Sequence, residues 1–210
     1  MTTVHYFYDP VCGWCYGATE LLNELQARAQ QGYLQLELHP GGMIPRRAID
    51  HSFRQHILSA DQQIARLTGA EFGELYCQRV ASQGALVLDS MITTQAILAA
   101  ESLGVDAFTM LKAIQAAHYR DGLDVAAEAT LQQLAGNMGI SQNQWQSAMY
   151  NAVATLGTRL AQSRQLMNRL GVQGFPTLLI KSGEQWQRLP HSQFYGQLPK
   201  WQQQLDQWLG

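Results

Sequence analysis

Two cysteines separated by two residues, Cys12 and Cys15, stand between a strand-like run and a helix-like run, and this junction constrains the fold more than any other stretch. Val4-His5-Tyr6-Phe7-Tyr8 leads in with β-prone residues, and Asp9-Pro10 turns the chain. Ala18 to Ala29 leads out with Leu21, Leu22 and Leu25 on one side of a helix. A Cys-x-x-Cys pair serves either dithiol–disulfide exchange or half of a metal site, and the strand-to-helix setting favours exchange. At the first turn of a helix, unpaired N–H groups and the helix dipole stabilise negative charge, which makes Cys12 the attacking sulfur. Cys15 lies one turn later on the same face, placed to close a disulfide onto Cys12 or to resolve a mixed one.

The remainder of the composition narrows the setting. The 210 residues suffice for one domain, or one domain with a large insertion. Only 14% of residues are charged, against an ordinary ~25%. The net charge is −2 with no basic block, which excludes the electrostatic footprint of a nucleic-acid binder. No apolar run approaches the roughly 20 residues of a membrane span. No basic segment followed by an apolar one opens the chain, so a secretory signal is not expected. With a third cysteine, Cys77, far from the pair, the chain is not a disulfide-stapled scaffold, and a reducing cytoplasm is the expected location. The six histidines show no HxH or HxxxH spacing, and no metal site is expected.

In chain order, Tyr33 to His39 alternates, with Leu34, Leu36 and Leu38 on one face, so the first unit reads β-α-β. A turn-rich loop follows at Pro40 to Arg47. Ser52-Phe53-Arg54-Gln55 reads as a capping box, opening a helix that Gly69 ends. Helical stripes recur at Phe72 to Val80, Met91 to Leu103, Phe108 to His118 and Leu131 to Met138. Ser141 to Gln144 is a second capping box, leading Trp145, Ala148 and Met149. A further helix runs from Leu156 to Leu170 and closes at Gly171. The chain then returns to β character through Thr177 to Ile180, a hairpin at Lys181-Ser182-Gly183-Glu184 and a strand from Gln185 to Leu189. Tyr195, Leu198, Trp201, Leu205 and Trp208 mark a last amphipathic helix.

The CxxC after a strand, the helical block and the Gly174-Phe175-Pro176-Thr177 run together resemble the DsbA family, in the signal-less branch of FrnE-like and cytoplasmic protein-disulfide isomerase sequences. The resemblance spans essentially the whole chain. It implies an α/β, thioredoxin-like fold with a large all-helical insertion: 1–50 and 155–210 form the thioredoxin-like domain and 51–154 the insertion. It also implies a cis peptide bond between Phe175 and Pro176, facing the cysteines. Phe175, Pro176 and Trp14 would then contact substrate, with Gly13, Gly174 and Thr177 as backbone support.

The activity implied is thiol–disulfide exchange by Cys12 and Cys15 on protein or peptide thiols and disulfides. Glutathione is a further thiol partner, and no cofactor beyond the redox-active pair is called for. The dipeptide Gly13-Trp14 lacks the histidine of DsbA itself, so a less oxidising potential is expected, nearer the reductase or isomerase range. Tyr6 occupies the position where related folds bury a carboxylate beneath the cysteines. His5 should face away from Tyr6, and Asp9 should shape the turn. Arg46 and Arg47 read as a solvated loop pair, and Cys77 as a small packed residue. Kappa-class glutathione transferases and 2-hydroxychromene-2-carboxylate isomerases resemble the same architecture, but typically carry a serine where Cys12 stands; Cys15 argues against that alternative.

Overall fold

The computed structural model describes residues 2–209. Strand β1 (Thr3–Tyr8) runs into the CxxC loop, then come α1 (Gly13–Gly17), α2 (Thr19–Gln30) and β2 (Gln35–Pro40), parallel to β1. The helix leaving the cysteines is broken at Ala18, where the Thr19 hydroxyl donates to the carbonyl of Tyr16 at 2.6 Å. A hydroxyl one turn on that takes a helix carbonyl competes with the backbone ladder.

Between β2 and the next strand of the sheet lie β3 (Arg47–Ala48), α3 (His51–Thr68), α4 (Glu74–Ala81), β4 (Val87–Leu88), α5 (Ser90–Ser102), α6 (Ala107–Gln115), a π-helical turn (Ala116–Arg120), α7 (Glu128–Asn137) and α8 (Gln142–Leu170). The chain closes with β5 (Thr177–Ser182), β6 (Gln185–Arg188), a 3-10 turn (His191–Phe194) and α9 (Leu198–Leu209). The main sheet has the order β2-β1-β5-β6, with β5 and β6 antiparallel to their neighbours; β3 and β4 pair separately.

The alternation of β1 divides the core. Val4, Tyr6 and Tyr8 pack with Leu21, Leu22 and Leu25 of α2 and with Trp201 and Leu205 of α9. Phe7 points the other way, to Val172 and Leu179, beneath Leu166, Met167 and Leu170 of α8. The Trp201 indole N–H donates to the carbonyl of Leu21 at 3.0 Å, fastening α9 over α2.

Two expectations are corrected. The cap of α3 is Asp50, whose carboxylate accepts from the N–H of Phe53 at 2.9 Å. The Ser52 hydroxyl donates to that same carboxylate at 2.6 Å and lies inside the helix. And residues 142–170 form one helix, not two. Ala152 carries the buried stripe from Trp145 and Ala148 on to Leu160 and Ser163, and no proline intervenes. The expected division at residues 154 and 155 therefore falls inside α8. The Ser141 capping box and the left-handed Gly171 that closes α8 are where the sequence puts them.

Candidate active site

Cys12 caps α1 with extended backbone, and its carbonyl accepts from the N–H groups of Cys15 and Tyr16 at 3.0 and 3.1 Å. Both cysteines are free thiols. Cys12 is 7% exposed and Cys15 1%, so the first meets what enters and the second lies beneath it. Burial pushes the Cys15 thiol up first; its hydrogen bond to Cys12 and the charge on Cys12 push it further. The backbone of Asp9 opposes this. These influences together favour the protonated thiol at Cys15.

The loop before β5 faces the pair. The Phe175–Pro176 peptide is cis. The Cys12 thiol donates to the carbonyl of Phe175 at 3.8 Å, and the Thr177 hydroxyl closes the loop by donating to the carbonyl of Gly174 at 2.8 Å. The space around Gly174 is open, so its carbonyl rather than its missing side chain serves the loop. The Phe175 ring lies against Gly41, where a Cβ would overlap the Cζ edge of the ring. Arg164 of α8 holds that second loop by donating to the carbonyls of Gly41 and Gly42 at 3.4 and 3.2 Å.

Cys12, Trp14 and Phe175 line one side of a largely apolar cavity of about 280 Å³. The helical segment supplies the other side, including Asp61, Tyr76 and His118. Asp61 is buried, and its carboxyl is raised to about 6 by burial, against the pull of the Tyr76 hydroxyl that donates to it at 2.7 Å. Gly13 explains itself here: a Cβ would lie 2.8 Å from Asp61 Oδ1 and 3.1 Å from the Ile64 side chain. His118 stands on the π-helical turn, lowered to about 4 by burial, with Nδ1 lacking a partner. Neither residue stands out in the sequence reading. The signal for Asp61 is a carboxylate three residues from Ile64 on the buried face of a helix; His118 belongs to an apolar stripe and reads as core.

Asp9 does shape the turn, through the Val11 N–H at 3.1 Å, but it also accepts from the Met43 N–H at 2.6 Å and the Ser90 hydroxyl at 2.8 Å. It is fully buried. Burial raises its carboxyl, and the three donors oppose that. It thus stitches the CxxC loop to the loop after β2 and to α5. Tyr6 lies beneath the pair, its hydroxyl donating to the carbonyl of Cys15 at 3.5 Å, and burial raises it strongly.

Trp14 is half-buried, its ring stacked on Tyr195 at 6.0 Å between centroids. The exposed Arg46 donates to the carbonyl of Ala126 at 3.0 Å, and Arg47 lies over the Phe53 ring, so both arginines are more engaged than a solvated pair. Cys77 is half-buried and donates to the carbonyl of Phe72 at 3.8 Å. On the opposite face of the sheet, the strand register gathers His5, Glu37 and His39, which spacing along the chain does not reveal.

Residues 3–196 match the family model of the DSBA-like thioredoxin domain. The solved cytosolic disulfide reductase DsbM from Pseudomonas aeruginosa is 36% identical, with 99% of this chain and 98% of that chain covered and a TM-score of 0.88. The same protein solved with GSH gives 36% identity, the same coverage and a TM-score of 0.87. No curated protein matches the chain.

Proposed function

We propose, from the premise that the chain belongs to the DSBA-like thioredoxin family and is a thiol–disulfide oxidoreductase, that it reduces protein or peptide disulfides through Cys12 and Cys15, in the cytoplasm, with glutathione as the reductant. The observation that carries this reading is the stacking of the pair: Cys12 opens on the cavity while Cys15 is sealed below it.

The Cys12 thiolate attacks a substrate disulfide. A mixed disulfide forms, and the departing substrate sulfur takes up a proton. Cys15 then gives up its proton and attacks Cys12, which releases the second substrate thiol and leaves the Cys12–Cys15 disulfide. One glutathione thiolate attacks Cys12, the reachable sulfur, and returns Cys15 to the thiol. A second glutathione attacks the Cys12 adduct, leaving as glutathione disulfide and restoring the dithiol. Two electrons enter from two glutathiones and two leave to the substrate.

Phe175 and Pro176 shape the docking edge, where a substrate strand can pair with the Phe175 backbone. Trp14 offers an apolar wall. Gly13 lets Asp61 and Ile64 approach, and Gly174 with Thr177 hold the loop. The helical segment between β2 and β5 closes the cavity.

The test is the redox state of the pair across glutathione buffers, read by alkylation and mass. A reversible two-electron transition, absent in Cys12→Ala and replaced in Cys15→Ala by a Cys12–glutathione adduct, is expected. A wild-type protein that stops at the glutathione adduct, or never forms the disulfide, overturns the reading in favour of a glutathione transferase or isomerase of the kappa type.

A further inference from the structure

Three metal-ligating side chains share one face of the sheet, on the side away from the cysteines. His5 on β1 is the register partner of Glu37 on β2, and His39 follows Glu37 by two residues, so the pleat sends all three the same way. His5 Nδ1 and His39 Nε2 lie 2.9 Å apart. Glu37 Oε2 lies 3.3 Å from the first and 3.7 Å from the second.

These spacings match a coordination polyhedron. A tetrahedral zinc with bonds of about 2.0–2.1 Å to imidazole nitrogen and carboxylate oxygen has ligand–ligand edges of about 3.3–3.4 Å. The three observed separations bracket that value. Two imidazoles and a carboxylate are also a donor set that borderline divalent cations take, with the fourth position left to solvent or substrate. Glu37 and His39 line a cavity of about 690 Å³ along α8, into which that fourth position can open. The same cavity is lined by Ser163, buried and with its hydroxyl unpartnered.

We propose that His5, Glu37 and His39 form a binding site for a divalent cation of the zinc type. The His5 and His39 nitrogens face each other at hydrogen-bond distance, so one carries the proton that an incoming ion displaces before both coordinate it. Arg159 is paired with Glu101 at 3.2 Å, and the Lys181 ammonium rests over the Trp186 ring. Trp186 also packs on His5, with centroids 4.6 Å apart, and fixes the ring that β1 presents. A bound ion would cross-link β1 to β2 directly behind the strand that delivers the CxxC loop.

The test removes the competing thiolates first. In the Cys12→Ser, Cys15→Ser, Cys77→Ser protein, zinc uptake is titrated against a chromophoric chelator, and cobalt is added in parallel to read the geometry from its visible absorption. One equivalent of zinc and an intense tetrahedral cobalt spectrum are expected. Glu37→Gln and His39→Gln, each in that background, should weaken binding roughly tenfold or more. Zinc should raise the melting temperature of the parent and shift both variants much less. The Glu37 side chain is 52% exposed, so its substitution leaves the fold intact, as circular dichroism will verify. No saturable uptake, or uptake that survives both substitutions, overturns the site.

Discussion

The Phe175 ring takes the space beside Gly41: it rests where a side chain on residue 41 would begin. The two belong to separate loops, one leaving β2 and one entering β5, and Phe175 supplies the carbonyl that meets the Cys12 thiol. The bare backbone of Gly41 thus sets how close the Phe175 loop comes to the cysteines.

Gly41→Ala should therefore act on activity and stability together. The added methyl must displace the ring or the loop that Arg164 holds. Overpacking of this kind costs about 1–3 kcal/mol. A lower denaturation midpoint is expected, with a loss of thiol–disulfide oxidoreductase turnover larger than the unfolded fraction explains. Turnover unchanged in the folded protein would mean that Phe175 can move without consequence.

Asp9→Asn should destabilise the protein although the shape is kept. Both carboxylate oxygens accept, one from Val11 and Ser90 and the other from Met43. An amide places its own N–H groups against one of those donors, leaving a buried donor unsatisfied at roughly 1–3 kcal/mol. Urea unfolding of the variant checks this, and an unchanged midpoint would show the stitch to be dispensable.

Asp61→Asn should change how stability depends on pH. The folded-state carboxyl sits at about 6, above its ordinary 3.8, so the fold holds a proton that the unfolded chain releases. That contribution is complete below about pH 4, is lost as the pH rises to about 6, and stays lost above. Asparagine keeps an acceptor for the Tyr76 hydroxyl and carries no charge. Relative to the parent, the variant should gain on the order of 2 kcal/mol between pH 4 and pH 8, read from denaturation midpoints. A constant difference across that range would refute the assignment.

The sequence shows what is local. The CxxC lies at a strand-to-helix junction, Ser141 and Gln144 cap α8, Gly69 and Gly171 end helices, and Gly183 turns a hairpin. Each of these acts within a few residues, so the pattern carries it. What stays hidden is what topology brings together. Asp61 reaches Gly13 because α3 packs on α1, and His5 meets His39 because β1 and β2 are parallel and in register. Neither pairing leaves a spacing along the chain. The unity of α8 is hidden for another reason: Ala152, a small residue, carries the stripe where larger apolar ones lapse.

The strand order has a consequence for how the chain is made. β1 precedes its partner β2 by only a helical stretch, yet its other neighbour is β5, so that Thr3 waits for Lys181. Until then β1 offers an unpaired edge, and the cysteines lack the lid that Phe175 provides. The whole helical segment is synthesised in that interval. Completion of the sheet thereby follows synthesis of the whole helical segment, and the cysteines stay without the Phe175 loop throughout it.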